Sequence, residues 1–258
     1  MFNRAFDSYS LTYDEHFTNT AIGRLQRERV HIYLRPLLKR QDNVLELNCG
    51  TGEDASFMAS SVLSVYATDQ SEGMIIAAMK KSSNDNIKFD VCSIENISSI
   101  GAGKSFDLIF SNFGGINCVP PIDVKKCSRD LYQLSNKGGH IALVIMGKRC
   151  LWEMFYFLYK KRDKSFRRLS AKGISTQIGN ENFLTYYYSP SQIKKIFKEH
   201  FEIQYHRPIG LFIPPSYLNS FFENKAWLLK ILYHIEKVLG RFSILSNYAD
   251  HYLIVLKK

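Results

Sequence analysis

The chain reads as an α/β protein: a mixed, seven-stranded sheet in a three-layer sandwich, with helical cap insertions. Three observations predict it. Short apolar runs bounded by turn residues alternate with segments of helical period. The first such run, Val44-Leu45-Glu46-Leu47, enters a glycine turn, Asn48-Cys49-Gly50-Thr51-Gly52. An acidic residue, Asp69, stands nineteen positions after Gly50, near the tip of the next apolar run.

The elements follow in order. Ile22, Leu25, Val30, Tyr33, Leu34, Leu37 and Leu38 recur near a 3.6-residue period, with Arg24, Arg27 and Arg29 between them. Pro36 bends or ends that helix. Phe2, Phe6, Tyr9 and Tyr13 mark an earlier helical turn. Strands are expected at 43–47, 64–68, 87–92, 106–111 and 139–147, with helices at 55–61, 73–81 and 124–134 between them. A helix over 191–199 starts at Ser189-Pro190-Ser191, and strands at 201–206 and 252–256 finish the sheet. Two pieces interrupt the alternation. One is a basic, aromatic segment over 148–188. The other is a long amphipathic helix within 213–248, where a hairpin turn would suffice. Insertions beyond the carboxyl ends of strands lie over the ligand crevice, so both are expected as caps on a single domain spanning 1–258, with N-terminal helices over 1–41.

Composition sets limits. With 258 residues, 45% hydrophobic and 22% charged, the chain can bury a sizeable core. Its five cysteines are odd in number and form no C-x-x-C pair, so a disulfide framework or zinc site is not expected. No metal-ligand cluster is visible. The N-terminal residues lack a signal-peptide core, and no apolar run approaches the roughly 20 residues of a membrane span. A cytoplasmic location with reduced thiols is the expectation. Net charge is +10, and residues 148–172 hold nine basic residues against Glu153 and Asp163. Trp152, Phe155, Tyr156, Phe157, Tyr159 and Phe166 lie among them. Cations beside aromatics suit an anionic small molecule, a lipid-like substrate at a membrane surface, or RNA.

The glycine turn and distant carboxylate build a site for an adenosine-containing ligand. Glycines let backbone approach closely, and the carboxylate accepts ribose hydroxyls. Gly50, Gly52 and Ala55 satisfy a dinucleotide fingerprint loosely, so a nicotinamide-dependent oxidoreductase is one reading. Four features favour a methyl donor instead. Residues 1–42 precede the first strand; Glu46 lies four before Gly50; the fourth strand ends Phe106-Asp107-Leu108-Ile109-Phe110-Ser111-Asn112; and the fifth follows Lys137-Gly138-Gly139.

With Phe6-Asp7-Ser8-Tyr9, Tyr13-Asp14 and Ala67-Thr68-Asp69-Gln70-Ser71, these motifs make residues 1–147 resemble class I S-adenosylmethionine-dependent methyltransferases. The chain is similar to the ubiquinone- and menaquinone-biosynthesis group. The resemblance implies a Rossmann-like fold, S-adenosyl-L-methionine as cofactor, and O- or C-methylation of a small hydrophobic or acidic acceptor. Gly50 and Gly52 would lie under the methionine part of the donor, and Glu46 would anchor the turn or meet the amino group. Asp69 would take the ribose, with Gln70 and Met74 at the adenine. Ser111 and Asn112 would sit near the methyl, and Tyr13 would close over the donor. Two positions depart from the family. Asn48 replaces a glycine, and Ser93, followed by Ile94, stands where an acidic residue often meets adenine. A non-catalytic donor-binding protein is therefore a further reading. No residue is assigned as catalytic; His16, just past Tyr13-Asp14, is the candidate general base. RNA methyltransferases usually bring a separate RNA-binding module and none is visible, so nucleic acid is disfavoured as a partner. Peripheral membrane contact through 148–172 stays open.

Overall fold

The computed structural model describes residues 5–101, 103–160, 164–178 and 181–258. Phe2 of the first expected helical turn, and Lys161, Arg162 and Asp163 of the basic segment, lie outside the described residues.

Seven strands form one sheet in the order β3-β2-β1-β4-β5-β9-β8. These are β1 (Asn43–Leu47), β2 (Ser64–Asp69), β3 (Ile87–Val91), β4 (Phe106–Ser111), β5 (Ser135–Met146), β8 (Glu202–Ile209) and β9 (His251–Lys257). The first five run parallel, and β9 is antiparallel to both β5 and β8. Chain order reverses between β1 and β4, which makes the crevice beyond Leu47 and Ser111 the expected ligand position.

Alternation along the strands divides the core into two layers. Leu45, Ile109, Ile141 and Leu143 face helices α5 (Pro121–Leu134) and α7 (Pro190–Phe197), burying Val124, Leu131, Ile193 and Phe197. Val44, Leu108, Phe110 and Val144 face α2 (Ala21–Leu34) and α3 (Glu53–Ala59), burying Val30, Leu34 and Met58. Strands buried on both faces read as nearly continuous apolar runs. Helix α4 (Glu72–Lys81) is capped by the Ser71 hydroxyl, which accepts from the Met74 N–H at 3.1 Å. Helix α7 opens on a capping box between Ser189 and Gln192. Pro208 is accommodated because β8 is the sheet edge.

Two expectations change. Within 148–188, α6 (Leu151–Lys160) is followed by a two-stranded hairpin, β6 (Ile174–Ile178) with β7 (Glu181–Thr185). Its alternating sequence, ISTQI then ENFLT, flanks Gly179-Asn180, a hairpin signal that spacing alone would have revealed. The long helix in 213–248 is divided into α8 (Asn219–Phe222) and α9 (Ala226–Leu239). The break lets both Phe222 and Leu229 reach one small cluster with Ile22 and Ile213. Arg27 and Arg29, between the apolar positions of α2, are buried.

Candidate functional site

A cleft of about 860 Å³ opens at the carboxyl ends of β1 to β4. Its floor is the turn after β1. Gly50 has φ +55, and a Cβ placed there would find only the Tyr13 ring, at 3.9 Å, so the missing side chain leaves the cleft open. Gly52 serves another purpose. Its φ is +77, and a Cβ would crowd Ala78 and Phe89 at 3.0 and 3.2 Å, so it lets the turn pack down on α4 and β3.

Asp69 ends β2 and joins the cleft walls. Its carboxylate accepts from the Gly50 N–H and the Ser71 N–H, both at 2.9 Å. Burial raises its pKa. Each oxygen retains a lone pair for a ligand hydroxyl. Beside it, Gln70, Met74 and Ile94 line the same cleft.

Asn48 takes the left-handed conformation, φ 47, that a glycine would occupy freely. Its side chain bridges to the end of β4: Ser111 Oγ donates to Asn48 Oδ1 at 2.5 Å, and Asn48 Nδ2 donates to the Asn112 carbonyl at 2.6 Å. It lies so close over Gly115 that a Cβ there would meet Asn48 Oδ1 at 2.0 Å. The substitution is thus a strut between β1 and β4, and Gly115 is its necessary complement.

The N-terminal segment closes the top. Asp7, on α1 (Ala5–Tyr9), accepts from the Ser71 hydroxyl at 2.6 Å and the Gly73 N–H at 3.1 Å. Asp14 accepts from the Thr51 hydroxyl at 2.7 Å and from Lys81 at 2.9 Å. Between these ties Tyr13 is held over Gly50. Burial pushes its phenol up to about 12, so it stays neutral. Phe6 and Phe183 meet at 5.3 Å, joining α1 to the hairpin. Asn117 pegs the hairpin approach: it donates to the Tyr186 and Met146 carbonyls at 2.6 and 3.1 Å.

Of the residues expected from sequence, Tyr13, Asn48, Gly50, Asp69, Gln70, Met74, Ile94 and Asn112 line the cleft. Glu46, Gly52, Ser93 and Ser111 stand outside the lining. Glu46 is 1% exposed, with an unpartnered oxygen, and its pKa is raised well above the carboxylate range by burial, then by Asp54. Ser93 begins the 3-10 turn Ile94–Ile100, and Glu95, two positions on, lines the cleft. His16 is exposed, bonded to the Thr12 carbonyl and stacked on Tyr9, outside the lining.

Sequence reasoning missed the far wall. Arg27 and Asp54 form a buried ion pair there. Asp54 also accepts from Asn112 Nδ2 at 2.8 Å and lies 2.7 Å from His31 Nε2. Arg27 stands over Phe113, whose φ of 42 is unusual for an aromatic residue. The pairing of α2 with α3 is long-range, and no local spacing signals it.

The same fold recurs in solved structures. A family model described as a methyltransferase domain matches residues 44–139. Residues 44–139 are thus similar to a methyltransferase domain. Its cofactor class is S-adenosyl-L-methionine. The chain is 28% identical over 195 residues to malonyl-[acyl-carrier protein] O-methyltransferase 1 of Ilyobacter polytropus, covering 70% of this chain and 66% of that protein. It is 28% identical over 139 residues to demethylmenaquinone methyltransferase of Clavibacter sepedonicus, covering 54% and 55%. The match thus spans less than two thirds of either curated relative. A crystal structure of a putative S-adenosylmethionine-dependent methyltransferase from Listeria monocytogenes superposes with a TM-score of 0.60 at 14% identity, covering 88% of this chain and 95% of that one. That likeness concerns the methyltransferase fold. Among the described residues no helix is long and apolar enough to cross a membrane, and no group of His, Cys, Asp or Glu could hold a metal ion.

Proposed function

We propose that the protein transfers a methyl group from S-adenosylmethionine to a small hydrophobic or acidic acceptor, at oxygen or carbon. The observation that carries this is Asp69, a buried carboxylate bonded to the N–H of Gly50 and lining the cleft with acceptor capacity to spare. When bound, the donor supplies an electrophilic methyl on sulfonium. The chain's residues then act by position. Asp69 holds the ribose, Met74 and Ile94 flank the adenine, and Gly50 gives the methionine part room. Asn112, fixed by Asn48 and Asp54, borders the reacting end, with Phe113 beside it. In-line displacement gains most from such positioning. The cleft thiols add no nucleophile, because burial pushes Cys118 up to about 12 and Cys49 well above its usual range.

The acceptor class rests on the aromatic mouth formed by Phe6, Tyr13 and Phe113, and on exposed Lys160 and Lys164 of the basic segment. Arg167 and Arg168 are engaged otherwise: both bond to buried Glu153, and Arg168 also bonds to Asp250 at 2.8 Å. The two curated relatives are named for malonyl-[acyl-carrier protein] and demethylmenaquinone, which fit an acidic and an apolar class. We further take 148–188 and 213–248 as caps of one domain over 1–258. Membrane contact through 148–172 rests on exposed Phe155, Tyr159 and Lys160. Five free cysteines suit the cytoplasm.

Incubation with methyl-tritiated S-adenosylmethionine and a panel of phenols, quinols and carboxylic acids tests the activity. Label in an extracted acceptor, lost in Asp69→Ala, is expected. Donor binding without label in any acceptor would instead support a non-catalytic binder.

A further inference from the structure

We propose that the outer face of α9 docks on an anionic lipid membrane. This stands independently of the methyl-transfer reading. At about 3.6 residues per turn, the helix divides into three sectors. The inner sector carries Leu229, Leu232 and Glu236. Leu229 and Leu232 pack with Ile22 and Ile213. Glu236 accepts from the backbone N–H groups of Gly210, Phe212 and Ile213 at 2.7, 2.6 and 3.0 Å. These contacts fix which side faces outward.

The second sector is apolar and exposed. Trp227, Ile231, Ile235 and Val238 recur at helical spacing, with Trp227 64% and Val238 63% exposed, and Phe242 continues the stripe beyond the helix. The third sector is cationic. Lys230, His234, Lys237 and, past the helix end, Arg241 lie alongside, all exposed. Between residues 224 and 244 the single carboxylate is Glu236, which is buried. Glu223 precedes the stretch, and Glu28 is held at its edge by the Tyr233 hydroxyl.

A surface helix normally presents polar residues outward, and an exposed apolar stripe of this length marks an interaction site. The charge decides the occupant. Aromatic and aliphatic side chains beside lysines, with the exposed acids Glu28 and Glu223 only at the edge, match an acyl boundary under anionic headgroups. A second copy of this chain is a poorer match, since two-fold pairing of α9 would set Lys230, Lys237 and Arg241 against themselves. Trp152–Phe222 and Tyr156–Tyr217 ring contacts place α6 beside this region, so its exposed Phe155 and Tyr159 can extend the same surface.

Co-sedimentation with vesicles of phosphatidylcholine, alone or mixed with phosphatidylglycerol, tests the assignment. A Trp152→Phe background leaves Trp227 as the reporter, because the chain has two tryptophans. Binding to the anionic vesicles alone, reversed by salt and accompanied by a blue shift of Trp227 emission, is expected. Lys230→Glu with Lys237→Glu should lower partitioning at least about tenfold, and Trp227→Ser should also weaken it. Absence of vesicle binding, equal binding by the charge-reversed variant, or a solution dimer dissociated by Ile231→Glu without vesicle binding would overturn the proposal.

Discussion

Arg27 of α2 pairs with Asp54 of α3 inside the cleft wall, and the two residues are buried, at 8% and 3% exposure. The pair joins the N-terminal helix to the glycine turn that precedes α3. Removing one partner strands the other charge in a low-dielectric wall. Arg27→Ala is therefore expected to cost about 3 kcal/mol of unfolding free energy. Denaturant titration checks this; a loss under about 1 kcal/mol would show that water reaches Asp54 freely.

Two buried carboxylates, Asp54 in the cleft wall and Glu46 outside the lining, make opposite pH predictions. Burial acts to raise Asp54, but Arg27 and His31 prevail and hold it well below the ordinary range. A depressed folded value contributes stability above the unfolded value of about 3.9. That contribution is lost as pH falls towards the folded value. Glu46 is raised, first by burial and then by Asp54. Its contribution is full below about 4.3 and declines as pH rises through the folded value. Glu46→Gln should thus gain stability relative to the parent as pH rises. Melting temperatures measured from acid to neutral pH decide it: a constant difference between the two proteins would contradict the buried, protonated Glu46.

Asn48 and Gly115 should behave as a coupled pair. Gly115→Ala drives a methyl into the Asn48 amide and should cost about 2 kcal/mol or more. Asn48→Gly loses the bridges to Ser111 and Asn112, about 1 kcal/mol each, but opens the space that the new methyl needs. The double variant should be more stable than the two single costs predict. Additive costs in a denaturation cycle would refute the strut.

The central strands were legible because both sheet faces are covered, which makes 43–47 and 106–111 mostly apolar, broken only by Asn43, Glu46, Asp107 and Ser111. Asp69 was legible because its distance from Gly50 is set by one strand-helix-strand unit. Gly52 was placed in the right turn but for the wrong contact, since only packing shows that Phe89 lies beneath it. Arg27, Asp54 and Glu95 escaped because their partners are distant in sequence. The basic segment looked like one charged surface, whereas Arg168 is buried between Glu153 and Asp250, which depends on β9 lying next to β5.

The central claim is that Asp69 and the Gly50 turn receive the adenosine of S-adenosylmethionine. Calorimetric titration with S-adenosylhomocysteine, with NADH for comparison, tests it most directly. The account predicts tight binding of S-adenosylhomocysteine, none of NADH, and a loss of about a hundredfold or more in Asp69→Ala, because two hydroxyl bonds to a charged acceptor disappear. Since burial raises Asp69, affinity should also weaken on acidification at a pH above the ordinary carboxylate value. Binding of NADH without S-adenosylhomocysteine, or an Asp69→Ala variant that binds S-adenosylhomocysteine as the parent does, would contradict it.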